Sequence, residues 1–216
     1  YHLTHTATNG RGVYSFCMCP GGEVVASASS PHTIVTTGMS YSHRNAPLAN
    51  SAILVQVKKE DFDHGNPLDG FLYQEKLEKK TYALTNNHKA PVSNIKDFLN
   101  HTTTPLVNTP SYSLGYQQTD LHGLFDEPIE EALKEGFINF DTKIKGFIEH
   151  GTMTASETRS SSPVRITRTP ECESISLENL FPCGEGAGYA GGIVSSAVDG
   201  IRCAEKCILK INKSLK

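Results

Sequence analysis

The sequence has no apolar run long enough to cross a membrane. Its longest mainly apolar stretches, residues 52–57 and 193–198, fall far short of the roughly 20 residues a spanning helix needs. It has no excess of basic charge either: 20 Lys and Arg stand against 23 Asp and Glu, for a net charge of −3. A protein whose main work is neutralising nucleic-acid phosphates needs a basic face, so neither a membrane nor a nucleic acid is an expected partner. No two of the six cysteines, at positions 17, 19, 172, 183, 203 and 207, have the two-residue separation of a zinc ribbon or a thioredoxin-like motif. At this size a disulfide framework is not expected, and reduced thiols in a cytoplasmic protein are. The nine histidines include one close pair, His2-x-x-His5, and no His-Glu-x-x-His or Cys/His spacing, so no metal site is expected. There is no internal repeat, heptad or low-complexity tract. The chain opens on a tyrosine, with neither an initiator methionine nor the basic and apolar regions of a signal peptide, which gives the expectation of a piece cut from a longer protein.

What is present suffices for a folded core. Hydrophobic residues make up 38% and charged residues 20% of 216, enough for one large domain or two small ones. The first sixty residues are rich in β-branched and aromatic residues broken by glycine and proline. They predict four strands near 13–18, 23–28, 33–37 and 52–57 in an antiparallel or mixed sheet. Cys19-Pro20-Gly21-Gly22 carries the chemistry of a tight turn and predicts a hairpin between the first two. Residues 68–84 alternate apolar and charged positions at helical spacing, with Glu75, Lys76, Glu78, Lys79 and Lys80 as a solvated face. Residues 92–99 read as a second helical piece. Residues 101–119 form a connection long enough to be functional or disordered, and Tyr112 and Tyr116 favour a buried or ligand-facing one. Glu127-Pro128 opens a third helix, because proline in the first turn forfeits no helical hydrogen bond. Gly136 sits near its expected end, and a further helical or irregular piece runs to Gly151. The alternation at Val164 and Ile166 predicts a strand rather than a linker.

The most informative stretch is Gly184-Glu185-Gly186-Ala187-Gly188-Tyr189-Ala190-Gly191-Gly192, followed from Ile193 by apolar residues at 194, 197, 198, 201, 204 and 208 in helical register. A short strand, a glycine loop and a packed helix would present first-turn N–H groups and the helix dipole to something negative or electron-rich. Gly186-x-Gly188-x-x-Gly191 satisfies the letters of the dinucleotide fingerprint, but no second parallel strand with an acidic end follows it, so the loop is not a self-sufficient Rossmann site. Two readings of the glycines stay open: close approach of a ligand, or tight packing of a helix on its neighbours.

Residues 11–22 (RGVYSFCMCPGG), 50–52 (NSA), 157–166 (ETRSSSPVRI) and 182–192 (PCGEGAGYAGG), with 90–92 (APV) and 143–147 (KIKGF), resemble the uncharacterised FAD-dependent dehydrogenases, also described as NAD(FAD)-utilising dehydrogenases. The resemblance covers nearly the whole chain. It implies the C-terminal portion of a two-domain flavoprotein whose amino-terminal FAD-binding lobe lies outside these residues. The fold class expected is α+β: a mixed or antiparallel sheet domain on the substrate side with a helical insertion, residues 1–150, and a flavin-side strand, glycine loop and helix, residues 151–216. The implied cofactor is FAD, lined by Gly184 to Ile193. The resemblance further implies Glu185 as an acceptor for a ribityl or ribose hydroxyl, with a solvated loop carboxylate as the other reading. Ser161, Ser162 and Pro163 would approach from a neighbouring strand. Hydride would pass between the flavin and an unknown small-molecule substrate. The alternative function is a non-catalytic module that binds a substrate or a partner.

No residue is assigned as catalytic. His43, Glu23 and Tyr41 are candidate acids or bases, and Tyr41, Arg44 and Asn50 are candidates for holding an anionic substrate group, against the plainer reading of loop surface. Cys17 and Cys19, two apart on a strand, are expected on one face, as a redox pair or as small core hydrophobes. Cys203 and Cys207 are expected to share a face of the last helix.

Overall fold

The computed structural model of the chain describes residues 3–214, so His2 of the histidine pair lies outside the described residues. The chain forms two compact units, one of Tyr1–Asp61 with Gln74–Thr158, the other of Phe62–Tyr73 with Arg159–Lys216. Helices and small antiparallel and mixed sheets make the class α+β.

In the first unit, β1 (Thr4–Thr6), β2 (Gly12–Cys19) and β5 (Asn50–Val55) form an antiparallel sheet in the order β1-β2-β5, with Val13 opposite Val55 and Tyr14 opposite both Thr4 and Leu54. The expected hairpin between the first two long strands does not form. β3 (Glu23–Ala26) pairs instead with β4 (Thr36–Met39), because both edges of β2 are already taken. The 19–22 turn carries the chain from one sheet to the other. Gly21 lies at φ +51°, and a Cβ there would stand 2.0 Å from the Arg44 carbonyl oxygen, so the glycine is needed for a loop crossing.

α1 (Asp69–Thr85) contributes its first residues to the second unit and the rest to the first. Its expected solvated face is half right. Glu75 and Lys79 pair at 3.2 Å, but Glu78 is fully buried and its Oε1 accepts a hydrogen bond from Thr158 Oγ1 at 2.9 Å. The segment expected as one helix at 92–99 divides into β6 (Ala90–Asn94) and α2 (Ile95–Asn100). β6 is buried along its whole length, between β7 (Tyr116–Gln118, parallel) and β8 (Thr152–Thr154, antiparallel). A short apolar run does not distinguish a buried strand from a helix, which is why the sequence misled.

The long connection after α2 is ordered by polar side chains. Asn94 Oδ1 accepts from Val107 N at 3.0 Å, and Asp97 accepts from Thr104 N at 3.0 Å and from the Thr102 hydroxyl at 2.9 Å. Burial alone would raise the Asp97 pKa, but these donors together hold it below the usual carboxylate value. Tyr112 in this connection is buried.

α3 (Glu127–Lys143) starts at the expected Pro128 but runs through Gly136 rather than ending there. Its buried positions 129, 130, 132, 133, 136, 137 and 140 fall on one face. Gly136 is the contact point with β2, where an added Cβ would lie 2.5 Å from Val13 Cγ1. Phe137 joins Ile95, Phe98, Leu121, Leu124, Leu133 and Ala155 in one cluster, and Phe140 joins Val13 and Ala132 in another. α4 (Phe147–His150) closes against the same core.

The second unit is built differently. None of its Leu, Ile, Val, Phe or Met side chains is buried among the described residues; the buried apolar ones are small, Cys172, Pro182, Ala187 and Cys203. The strands expected at Val164 and Ile166 and ahead of the glycine loop do not form. Residues 162–183 run irregularly, with a single bridge between Arg168 and Ser174. α5 (Ile193–Ser214) is the expected last helix, and longer than expected. Its apolar face is not packed, however: Ile193 is 90% exposed and Val198 and Ile201 61%. No helix among the described residues is long and apolar enough to cross a membrane.

Candidate active site

The glycine loop of the second unit sits between residues 162–168 and the start of α5, and each side holds it through main-chain groups. Ser162 Oγ lies 2.9 Å from the Val164 carbonyl and 3.2 Å from that of Gly186. Ile166 N donates to the Ala187 carbonyl at 3.1 Å, and Arg165 Nε to that of Gly188 at 3.1 Å. Within the loop, Gly188 N donates to the Glu185 carbonyl at 2.8 Å and Tyr189 N to that of Gly184 at 3.0 Å.

Four of the five glycines sort into two kinds. Gly184 and Gly188 lie at φ +71° and +80°, and a Cβ on Gly188 would stand 2.4 Å from the Val164 carbonyl oxygen, so the loop's own backbone requires them. Gly186 and Gly191 have no such φ, and a Cβ built on either meets nothing within 4 Å. Nothing in the fold explains glycine at these two. Two residues past Gly191, the N–H groups of the first turn of α5, Ile193 to Ser195, have no carbonyl within the helix to bond.

One pair that the sequence did not single out ties the parts together. Arg168 makes a two-pronged contact with Asp199 of α5 at 2.6 and 2.9 Å. Its Nη1 also reaches the Pro182 carbonyl at 2.7 Å and Cys203 Sγ at 3.1 Å. Asp199 in turn accepts from Gly184 N at 2.9 Å. The Arg168 contact pulls the Asp199 carboxyl down to about 2, with burial opposing and the Gly184 N–H assisting, while Arg168 is raised above its ordinary value by Asp199. Tyr189 is wedged beside this pair. Its ring stacks 3.6 Å from the Arg168 guanidinium and 5.0 Å from that of Arg165, and its hydroxyl donates to the Ile166 carbonyl at 3.1 Å while accepting from Arg168 N. The only sequence signal for the pair is Asp199, an acidic residue on the side of α5 opposite its apolar stripe.

The remaining loop residues fall around this frame. Ala187 is buried, Glu185 and Ala190 are half-buried, and Gly192 accepts from Ser196 N at 2.9 Å. Ser161 is exposed, and Pro163 turns toward Gly70, whose added Cβ would lie 2.7 Å from its Cβ. Cys203 and Cys207 do not share an environment, since Cys203 is buried and Cys207 half-exposed. Burial pushes the Cys203 thiol up to about 11, assisted by a hydrogen bond with Cys172 and opposed by the Arg168 charge, so it stays protonated and inert.

In the first unit, Arg44 N donates to the Tyr41 carbonyl at 2.9 Å, so the two share one exposed turn between β4 and β5. Asn50 stands apart from that turn: it opens β5 opposite Cys19 with its Oδ1 against Gly38, and its Nδ2 is buried without a partner among the described residues. His43 is exposed and Glu23 opens β3. Cys17 and Cys19 do not line one strand face as expected. Cys17 takes φ +48° in a bulge that shifts the register between Phe16 and Cys19, and the Cys19 thiol lies 3.4 Å from the Cys17 carbonyl. Glu157, which the sequence did not mark as titratable chemistry, is raised above the usual carboxylate value by burial, with a hydrogen bond to Thr37 opposing. Among the described residues, no group of three or more His, Cys, Asp or Glu side chains could hold a metal ion.

Residues 1–160 match the family described as FAD-dependent protein, C-terminal domain-like. The chain belongs to this family. A protein of Clostridium beijerinckii, described only as uncharacterized, is 48% identical over 217 residues, a match that covers 98% of this chain and 41% of the relative. The chain thus spans about two-fifths of the length of the curated relative it matches. The FAD-dependent C-terminal domain match ends two residues past the boundary at Thr158, so the loop and α5 lie beyond it, whereas the clostridial relative carries nearly the whole chain.

Proposed function

We propose that the chain is the C-terminal part of a FAD-dependent oxidoreductase, a dehydrogenase of a small-molecule substrate, and that residues 184–193 line a flavin dinucleotide held mainly by a preceding FAD-binding lobe. The observation that carries this reading is the pair Gly186 and Gly191. They are glycines without a packing or conformational reason, open to whatever lies against the loop, and Gly191 stands two residues ahead of the first turn of α5 with its N–H groups. The family description, FAD-dependent, names the group such a surface suits.

Bound FAD would supply the hydride chemistry, its ring accepting or giving two electrons at a time. The chain's own residues bind and orient. N–H groups of Ile193 to Ser195 and the α5 dipole favour negative charge beside them. Glu185, with its carboxylate at the loop's edge, is an acceptor for a hydroxyl of the ribityl or ribose chain. Ser162, through its contact with the Gly186 carbonyl, fixes the loop's height, and Arg168 with Asp199 fixes α5 beneath it. Tyr41 and Arg44, on their exposed turn, are the proposed contacts for an anionic group of the substrate.

The test is visible absorbance of the full-length protein carrying Gly186→Ala or Gly191→Ala. Both sites are open and free of left-handed φ, so stability should change by no more than about 0.5 kcal/mol. Flavin retention is expected to fall at least about ten-fold, about 1.4 kcal/mol of binding. Full-length protein that is colourless under flavin-replete expression would leave the non-catalytic binding module as the better reading, and variants as yellow as the parent would take residues 184–193 out of the flavin site.

A further inference from the structure

α5 is packed inside out. The residues it turns toward its own unit are polar or sulfur-bearing: Asp199 meets Arg168, Lys210 pairs with Glu173, and Cys203 is buried against the Pro182 carbonyl. The apolar row on the opposite side, Ile193, Val194, Val198, Ile201, Ile208 and Ile211, is more than half exposed at every position. A row of this length facing water is the mark of a surface made to be covered. It belongs to a unit with no buried large aliphatic or aromatic side chain of its own among the described residues.

Three observations say what covers it. The match covers 41% of the clostridial relative, which extends well beyond it, and the family is described as a C-terminal domain; both favour a cover supplied by polypeptide ahead of these residues. Glu205 stands in the same row, spaced 198, 201, 205, 208, and forms no ion pair among the described residues. A second copy packed antiparallel on this face would bring two Glu205 carboxylates toward each other.

We propose that the apolar row of α5 is seated, within the full-length polypeptide, on an apolar face of the preceding region, and that this region sets a cation or an N–H donor opposite Glu205. The proposal rests on the reading of the chain as the C-terminal part of a longer protein. It adds which surface joins the two parts and what the other side must present.

Hydrogen exchange of α5 tests it, comparing the full-length protein, with and without added FAD, to the 216-residue chain alone. Amides of residues 197–211 are expected to exchange at least about ten-fold more slowly in the full-length protein. Val198→Asp with Ile208→Asp should abolish that slowing while leaving the helix content of the 216-residue chain unchanged, and Glu205→Leu should leave a smaller loss. Equal exchange in the two proteins overturns the proposal, as does an isolated chain that is already slow and dimeric by light scattering and becomes monomeric with the two aspartates. Slowed α5 exchange in a protein that never takes up flavin upholds the seam and removes the flavoprotein reading. Bound flavin with freely exchanging α5 does the reverse.

Discussion

Asp199→Ala is expected to destabilise the second unit by about 3–5 kcal/mol, because it leaves the Arg168 guanidinium enclosed by the Tyr189 ring and the Pro182 carbonyl without its counter-charge. Both side chains are largely buried, at 8% and 12% exposure, so water compensates little. A unit with an apolar core absorbs such a loss; this one has only Cys172, Pro182, Ala187 and Cys203 as buried apolar side chains among the described residues. The loss should appear as accelerated hydrogen exchange and a lowered urea midpoint for peptides from 162–214, with the first unit's α3 peptides unchanged. A change under about 0.5 kcal/mol would mean that the pair is ornamental. The same contact has a pH signature. Asp199 titrates at about 2 when folded, below its ordinary 3.8, so its contribution is fully present above about pH 4 and is lost as the pH falls through 2. Acid should therefore loosen this unit across that window in the parent protein, and the alanine variant should show no such step from this site.

Gly188→Ala is expected to cost at least about 2 kcal/mol. Its φ of +80° penalises any Cβ by about 1–2 kcal/mol, and the new methyl would meet the Val164 carbonyl oxygen at 2.4 Å and Arg165 Cα at 3.0 Å. Those neighbours are backbone, so residues 164–166 have to move as a piece and the Ile166 to Ala187 hydrogen bond breaks. The Ile166 amide should become freely exchanging, and flavin retention in the full-length protein should fall with it. The contrast with Gly191→Ala, three residues on and nearly silent for stability, separates a glycine the loop needs from one a ligand needs. Equal stability of the two variants would remove that distinction.

The sequence made the helices legible where local chemistry decides them. Pro128 in the first turn and apolar positions from Ile129 onward placed α3, and only its far end was missed. Gly136, expected near the helix end, is the gap into which Val13 packs. Strand pairing was not legible, because β2 is claimed by β1 and β5 from elsewhere in the chain and the turn at 19–22 carries no record of that. For α5 the periodicity predicts the apolar stripe but not which way the stripe faces. An apolar stripe marks a face suited to burial, not what lies against it, and here the inward face is that of Asp199 and Cys203. The glycine loop was found by its letters. Its two kinds of glycine became separable only once φ and the neighbouring backbone were in view.

The most direct measurement is hydrogen exchange of residues 184–195 in the full-length protein, stripped of FAD and then reconstituted. If these amides line the flavin, those of Gly186, Gly191 and the first turn of α5 should slow on reconstitution while Gly188 and Tyr189, already bonded within the loop, change little. Flavin that binds fully and leaves residues 184–195 exchanging as before would contradict the account.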